Sequence, residues 1–298
     1  MSQPKYKNII GVDLGGTKVL AGLVDGNKII KKKYGLLPSN PSNAEGITLK
    51  VIEIIDAVYD DSVEGIGIGV PSLVDRENGI VHSVQNIPLW KEVHLKDILE
   101  KRYNVPVFLD NDANCFALGE HIFGVGIGIE NFVGITIGTG MGAGIITEGH
   151  LLKDANCGSG EFGSIPYLDG IYEDYCSGKF FKTFYNEDGQ NVLKKAKNGD
   201  QNAIKAFQKF GVHMGNAIKT IMFSVDPKTI IIGGSVSNSK EFFLDAMMKT
   251  IESFPYKDSV KKLDVKFTST SIFSILGAAS LYYDRTEKIN ILKYDSKF

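Results

Sequence analysis

A chain of 298 residues is too long for one hydrophobic core of ordinary size, so two lobes are expected. With 43% hydrophobic residues, 23% charged residues and a formal net charge of -2, it reads as an ordinary folded protein. Disorder is not expected, and neither is a polyanion partner, because nucleic-acid binding shows as clustered Lys and Arg on a basic domain. The run Lys31-Lys32-Lys33 reads as a solvated strand end rather than a phosphate or lipid patch. No stretch is apolar for long enough to span a bilayer, and Asp13 interrupts the first apolar run before a signal-peptide core could form. The expected compartment is therefore the cytoplasm. Cys115, Cys157 and Cys176 form no C-x-x-C pair and read as reduced thiols. His82, His94, His121, His150 and His213 show no metal-ligand spacing and read as structural or exposed.

In chain order, β-branched runs alternate with amphipathic stretches, the pattern of an α/β protein. Strands are expected over 8–13, 18–24 and 28–34, a helix over 43–59, a strand over 65–70 and a helix over 95–103. A strand over 105–109 and a helix over 113–123 follow, then strands over 132–137 and 142–147. The last third reads as a helix over 203–224, a strand over 229–232, a helix over 241–254, a strand over 262–268 and a helix over 277–284. Ile204, Phe207, Val212 and Ile218 show the helical period in the longest of these. A weak repeat, strand then Gly/Thr-rich turn then strand, occurs at 9–24 and again at 133–146. Two lobes of related plan, 1–112 and 113–284, would each offer a glycine-rich hairpin to a shared cleft, and the tail at 285–298 is expected to join the first lobe.

The first hairpin turn is Asp13-Leu14-Gly15-Gly16-Thr17-Lys18. It superficially matches a phosphate-binding Walker A loop, but that motif needs Gly-Lys-Ser/Thr and a following helix, whereas Val19 to Val24 suits a strand. Gly15 and Gly16 let backbone N–H groups converge on an anion, Thr17 can add a hydroxyl, and Asp13 is placed to hold Mg²⁺ directly or through water. A tight turn with an Asp cap is the competing reading. The second turn, Gly138-Thr139-Gly140-Met141-Gly142-Ala143, fits G-x-G-x-x-A, with Glu161 ~20 residues on as in a dinucleotide site. A helix must open there, and Ile145-Ile146-Thr147 again reads as a strand. A third glycine pair, Gly233-Gly234, follows the strand 229–232.

Asp110-Asn111-Asp112-Ala113-Asn114 lies between a strand and a helix. One Asp or Asn is expected there as a helix cap, but four polar residues within these five exceed that need. Phosphoryl transfer asks the protein for position, charge neutralisation and one proton acceptor. Asp112 is the candidate acceptor, kept ionised by the helix N-terminus, and Asn111 can bind a neighbouring hydroxyl through amide donor and acceptor. Glu161, in Gly158-Ser159-Gly160-Glu161-Phe162-Gly163-Ser164, and Glu173 read either as surface-loop residues or as acceptors for a ring of sugar hydroxyls.

Together these residues resemble the ROK family of repressors, open reading frames and sugar kinases. The resemblance runs from Ile9 to Tyr283 through Asp13 to Lys18, Gly69-Val70-Pro71-Ser72-Leu73-Val74-Asp75, Asn86 before Trp90, Asn111-Asp112-Ala113-Asn114, Gly138 to Gly142, Gly158 to Gly163, Ile232-Gly233-Gly234 and Gly277-Ala278-Ala279. It implies a two-lobed, actin-like and ribonuclease H-like α/β ATPase fold with an inter-lobe cleft. It also implies ATP:hexose phosphotransfer, nearest to glucokinases, by a homodimer or homotetramer. Asp112 is then the catalytic base, Asn111, Glu161, Glu173 and Asn86 bind sugar, and Asp13 to Lys18, Thr139, Gly140, Gly233 and Gly234 hold Mg-ATP. Ser164 replaces the family's usual His and Ser72 its usual Gly at the sugar end, and no Cys or His lies between Ser164 and Glu173, so no structural zinc is expected. Family repressors add a DNA-reading helix-turn-helix, for which the strand at Asn8 leaves no room. The competing class is a sugar-binding regulator without turnover; retention of Asp13 and Asp112 favours the enzyme.

Overall fold

The computed structural model describes residues 7–38, 44–82, 84, 87, 89–155, 158–268 and 273–286. The chain opens with β1 (Asn8–Leu14), β2 (Lys18–Asp25), β3 (Lys28–Leu36), α1 (Ala44–Asp56) and β4 (Val63–Val70). A small antiparallel sheet, β5 (Leu73–Asp75), β6 (Ile80–His82) and β7 (Glu92–Val93), precedes α2 (Leu95–Tyr103), β8 (Val107–Asn111) and α3 (Asp112–Phe123). Next come β9 (Phe132–Ile137), β10 (Met141–Thr147), β11 (His150–Leu151), and the short pair β12 (Pro166–Tyr167) and β13 (Gly170–Ile171). Helices α4 (Tyr172–Cys176), α5 (Gly178–Tyr185), α6 (Gly189–Lys197) and α7 (Gln201–Val225) follow. The chain closes with β14 (Thr229–Gly233), α8 (Lys240–Ile251), α9 (Lys257–Lys262), β15 (Asp264–Phe267) and α10 (Phe273–Arg285).

Two five-stranded sheets have the orders β3-β2-β1-β4-β8 and β11-β10-β9-β14-β15. In the first, β1, β4 and β8 run parallel while β2 and β3 are antiparallel additions. In the second, β9, β14 and β15 run parallel. The repeat legible in the chain is this recurrence of an antiparallel hairpin leading into parallel strands. Parallel strands need cover on both faces, and β4 accordingly reads as an almost unbroken buried run from Gly65 to Val70.

The described residues fall into two compact units, one from 1–130, 144–159 and 271–298, the other from 131–143 and 160–270. The change of lobe expected at 110–113 comes instead after Glu130, because α3 is buried on nearly every face from Ala113 to His121 and packs on β4, β8 and α10 of the first unit. The core of that unit gathers Ile10, Val12, Ile66, Ile68, Val107 and Leu109, with Trp90 fully buried and its indole N–H on the Ala44 carbonyl. Each aliphatic side chain so removed from water contributes roughly 1.5–3 kcal/mol. In the second unit, Phe181, Phe207, Phe210 and Phe243 pack ring against ring under α7 and α8. Helix α7 starts where the Asp200 side chain accepts the N–H groups of Asn202 and Ala203, and stops where Asp226 turns left-handed ahead of Pro227. Among the described residues no helix is long and apolar enough to cross a membrane. Cys115 and Cys176 are buried free thiols; Cys157 and the tail beyond residue 286 lie outside the described residues.

Candidate functional site

In the first unit, three parallel strands deliver their C-terminal ends to one place. Gly69 of β4 is paired with Asp13 of β1 on one side and with Asp110 of β8 on the other. A side chain at Gly69 would meet the Cys115 sulfur at 3.2 Å and the Cα of Asp112 at 3.6 Å, so the start of α3 lies in contact distance of this strand end. Burial raises the Cys115 thiol well above its ordinary value, and the charges of Asp110, Asp112 and Asp13 add to the rise. The backbones of Asp13 and Asp112, far apart in sequence, thus both lie against Gly69.

The turn after Asp13 is a β-hairpin closed by Gly15 N–H on the Lys18 carbonyl at 2.8 Å, with Leu14 opposite Val19. A strand follows it, so the Walker A alternative falls. Gly15 and Gly16 are half-buried, while Thr17 and Lys18 are exposed. The Asp13 carboxyl is raised above its ordinary value, first by burial; a hydrogen bond from Ser274 of α10 and the charge of Lys18 oppose the rise. A half-buried carboxylate with so little compensation is a hard-oxygen donor suited to a hydrated Mg²⁺, which is commonly held by one or two carboxylates plus substrate phosphates.

Asn111 caps α3, its side-chain oxygen accepting the Ala113 N–H at 2.8 Å, and its amide N–H donates to the Ser72 carbonyl at 3.2 Å. One N–H and one lone pair of that amide remain for an outside partner. The Ser72 hydroxyl is turned toward the small sheet, donating to the His82 carbonyl. Asp112 occupies the first position of α3 and is exposed. Asn86 lies outside the described residues.

The second unit brings together the other candidates. Residues 138–140 join β9 to β10, adjacent strands of one sheet, with Gly138 N–H on the Gly140 carbonyl at 3.0 Å; a strand again follows the glycines, so a dinucleotide loop is excluded. Gly234 has φ +85°, and a Cβ there would stand 2.2 Å from the Ile137 carbonyl, so only glycine fits at this crossing. Gly233 pairs with Thr136, which sets the third glycine turn beside the second.

Glu173 is not a loop residue: it lies in the first turn of α4, half-buried, with both oxygens engaged. One accepts the Met141 N–H at 3.0 Å and the other the Lys179 ammonium at 2.6 Å. A Cβ on Gly140 would reach 2.5 Å from that carboxylate. Glu173 therefore fastens the Thr139-Gly140 turn, a role with no local signal because its partner lies on another element. Glu161 precedes a single 3₁₀ turn, Phe162–Ser164. Partial desolvation raises its carboxyl above the ordinary value; the Ser164 hydroxyl, 3.4 Å away, opposes this, and the like charge of Glu173 adds to it.

A profile of the ROK family matches residues 9–285. The chain belongs to the ROK family. Among its relatives, the glucokinase of Thermotoga maritima is 31% identical over 95% of this chain and 99% of that one. The xylose repressor of Bacillus subtilis is 29% identical over 83% of this chain and 69% of the repressor. A crystal structure of a ROK family glucokinase from Streptomyces griseus in complex with glucose and AMPPNP is 28% identical, with a TM-score of 0.76 over 92% of this chain and 98% of that one. The fold is the two-lobed, actin-like and ribonuclease H-like α/β architecture of ROK sugar kinases.

This ROK protein holds the segment after Ser164 with aromatic rings. Tyr167 of β12 stacks on Tyr172 at 4.3 Å, meets Tyr175 edge-on at 5.3 Å, and has its hydroxyl 3.1 Å from His213 Nδ1 and 2.9 Å from the Asn216 amide nitrogen. Burial lowers the His213 pKa, keeping the ring neutral in this apolar setting. Among the described residues, no group of three or more His, Cys, Asp or Glu side chains could hold a metal ion. Ser274, which touches the Asp13 carboxylate, was not singled out by the sequence: a serine in an apolar helical stretch carries no sign of a partner at the other end of the chain.

Proposed function

We propose that this chain transfers the γ-phosphate of ATP to the 6-hydroxyl of a hexose, with Asp112 taking the sugar proton. Its family and its glucokinase relatives make it a sugar kinase. The observation that carries the finer reading is the convergence of Asp13 and Asp112 on Gly69, which provides a metal acid and a proton acceptor within one unit. Asp13 would hold Mg²⁺, which when bound neutralises charge on the phosphate oxygens. The backbone N–H groups of Gly15 and Gly16, with Thr17 and Lys18, cradle the phosphates. Thr139, Gly140, Gly233 and Gly234 complete the nucleotide site, the turn at Gly140 held in place by Glu173. Asn111 and Glu161, with Asn86, Glu173, Ser72 and Ser164, present acceptors and donors to the hexose hydroxyls. Asp112 accepts the proton as the hydroxyl oxygen attacks in line, so that the loose transition state gains a nucleophile without a free alkoxide. The same reading makes the protein a cytoplasmic homodimer or homotetramer that engages free hexose and Mg-ATP, and no nucleic acid.

The test is hexose-dependent ADP release measured across glucose, mannose, fructose, allose and the N-acetylated hexosamines. At least one sugar is expected to raise the rate well above the background ATPase. Binding of a sugar with no increase for any of them would favour the second reading, a sugar-binding regulator, for which the xylose repressor among the relatives is the specific support.

Two further outcomes follow from the same residues. Because desolvation favours neutral Glu161, its folded pKa lies above the ordinary carboxylate value, and it protonates at higher pH than an ordinary carboxylate as pH falls from neutrality. Its acceptor capacity is lost in that window, so the hexose KM should rise on acidification before ordinary carboxylates titrate, and Glu161→Gln should flatten that rise; a KM independent of pH down to the ordinary carboxylate range would remove Glu161 from the sugar site. Elemental analysis of the purified protein should find no stoichiometric zinc, since residues 164–173 hold neither Cys nor His. One zinc per chain would show ligands elsewhere.

A further inference from the structure

Behind the catalytic strand end lies a largely buried group of four charges, all in the first unit, with Arg285 its most exposed member. Asp110, 1% exposed, ends β8 immediately before Asn111 and Asp112. Its carboxylate accepts the Asn111 N–H at 2.8 Å, the Asn114 amide at 2.8 Å, Arg285 Nη2 at 2.9 Å and Arg76 Nε at 3.0 Å. The side chain of Arg76, 9% exposed, forks: its Nη1 donates to the Leu152 carbonyl at 3.1 Å and to Asp154 Oδ1 at 3.0 Å. Asp154 in turn accepts the Ser159 N–H at 2.9 Å, and Ser159 stands two residues before Glu161 in the chain. Arg76 is itself set by a tight turn in which Asp75 accepts the N–H groups of Glu77 and Asn78.

Buried ion pairs contribute little net stability compared with apolar side chains of the same volume, because desolvation offsets their attraction. What a planar guanidinium with several fixed donors adds is geometry. We infer that Arg76 is a positioning residue for the phosphotransfer: it ties the strand end that presents Asn111 and Asp112 to the segment, through Asp154 and Ser159, that leads into Glu161. The inference rests on the kinase reading of Asp112 and Glu161. Asn111 and Asp112 must keep their place on the strand end within a fraction of an ångström, since a misplacement of ~1 Å costs on the order of 10²-fold in rate.

The experiment compares wild type with Arg76→Met, Arg76→Lys and Asp154→Asn in steady-state kinetics, calorimetric hexose binding and thermal unfolding. Arg76→Met should lose roughly 30- to 100-fold in kcat/KM for hexose while the KM for ATP moves by less than about twofold. Arg76→Lys keeps the charge but not the fork, so its unfolding midpoint should return to near the wild-type value with kcat still at least about tenfold down. Asp154→Asn should show a smaller loss with the same split. If Arg76→Met does not fold, the other two variants carry the test. Values for Arg76→Lys and Asp154→Asn within about twofold of wild type, or equal damage to the ATP KM, would overturn the inference. If wild type binds hexose without phosphorylating it, the kinase reading fails and the positioning role is read from hexose affinity, expected to drop at least about tenfold in Arg76→Met. If wild type neither binds nor phosphorylates hexose, both fall.

Discussion

Asp112→Asn is expected to lower kcat by about 10²- to 10⁴-fold while leaving the hexose dissociation constant within roughly threefold of wild type. The split follows from where the residue sits. Asparagine keeps the size and the hydrogen-bonding reach of the side chain, so a ground-state contact to the sugar hydroxyl survives. It cannot take a proton, so the interaction that matters only as the hydroxyl attacks is lost. The start of α3 is held by the Asn111 cap and by buried packing from Ala113 onward. The unfolding midpoint should therefore change little, or fall slightly through loss of a favourable charge at the helix N-terminus. A variant that turns over at a rate near wild type would mean that another group accepts the proton.

Gly67→Ala should be the most damaging single methyl in the first unit. Gly67 lies in the middle of β4, paired to Gly11 on one side and Phe108 on the other, and α10 crosses directly above it. A Cβ would stand 1.8 Å from the Ala278 carbonyl oxygen and 2.6 Å from its carbon, both backbone atoms of a helix with no side chain able to rotate away. Helix and sheet would have to part along the contact. The expected cost is roughly 3 kcal/mol, at the upper end for overpacking. For a chain of this size that lowers the unfolding midpoint by roughly 5 °C. Because the same helix carries Ser274 to Asp13 and Arg285 to Asp110, activity should fall along with stability. An Ala variant of wild-type stability would show that α10 does not approach the sheet as described.

The Gly67 contact also explains part of what could be read from the chain. Gly277-Ala278-Ala279 entered as part of the family resemblance, and its small residues suit a helix lying backbone against sheet, whereas the facing Gly67 looks like any glycine in a strand. The two hairpins at 13–18 and 138–142 were legible for a local reason: β-branched runs on both sides of Gly/Thr turns leave no room for a helix. Helices with a clear apolar stripe, α2 and α7 among them, were legible too, the end of α7 being set by the Asp200 cap. The small sheet of β5, β6 and β7 was not, because each strand is only two or three residues long and leans on β8, and the helices between Gly178 and Lys197, eight and nine residues long, were missed although each buries apolar residues. In the candidate site, residue types and turn chemistry pointed to Asp13, Asn111 and Asp112. Their convergence on Gly69 depends on strand register, which no local window contains. Glu173 shows the limit most clearly: its type and place suggested a sugar ligand, but its hold on the Met141 N–H and Lys179 depends on other elements and has no local signal.

The most direct measurement is transfer of label from γ-labelled ATP, with wild type and Asp112→Asn run side by side at saturating hexose and Mg²⁺. Wild type should produce labelled hexose 6-phosphate, and the variant, though still binding the sugar, should produce at most about one hundredth as much in the same time. Label appearing only as inorganic phosphate, or on the sugar equally with both proteins, would contradict the account.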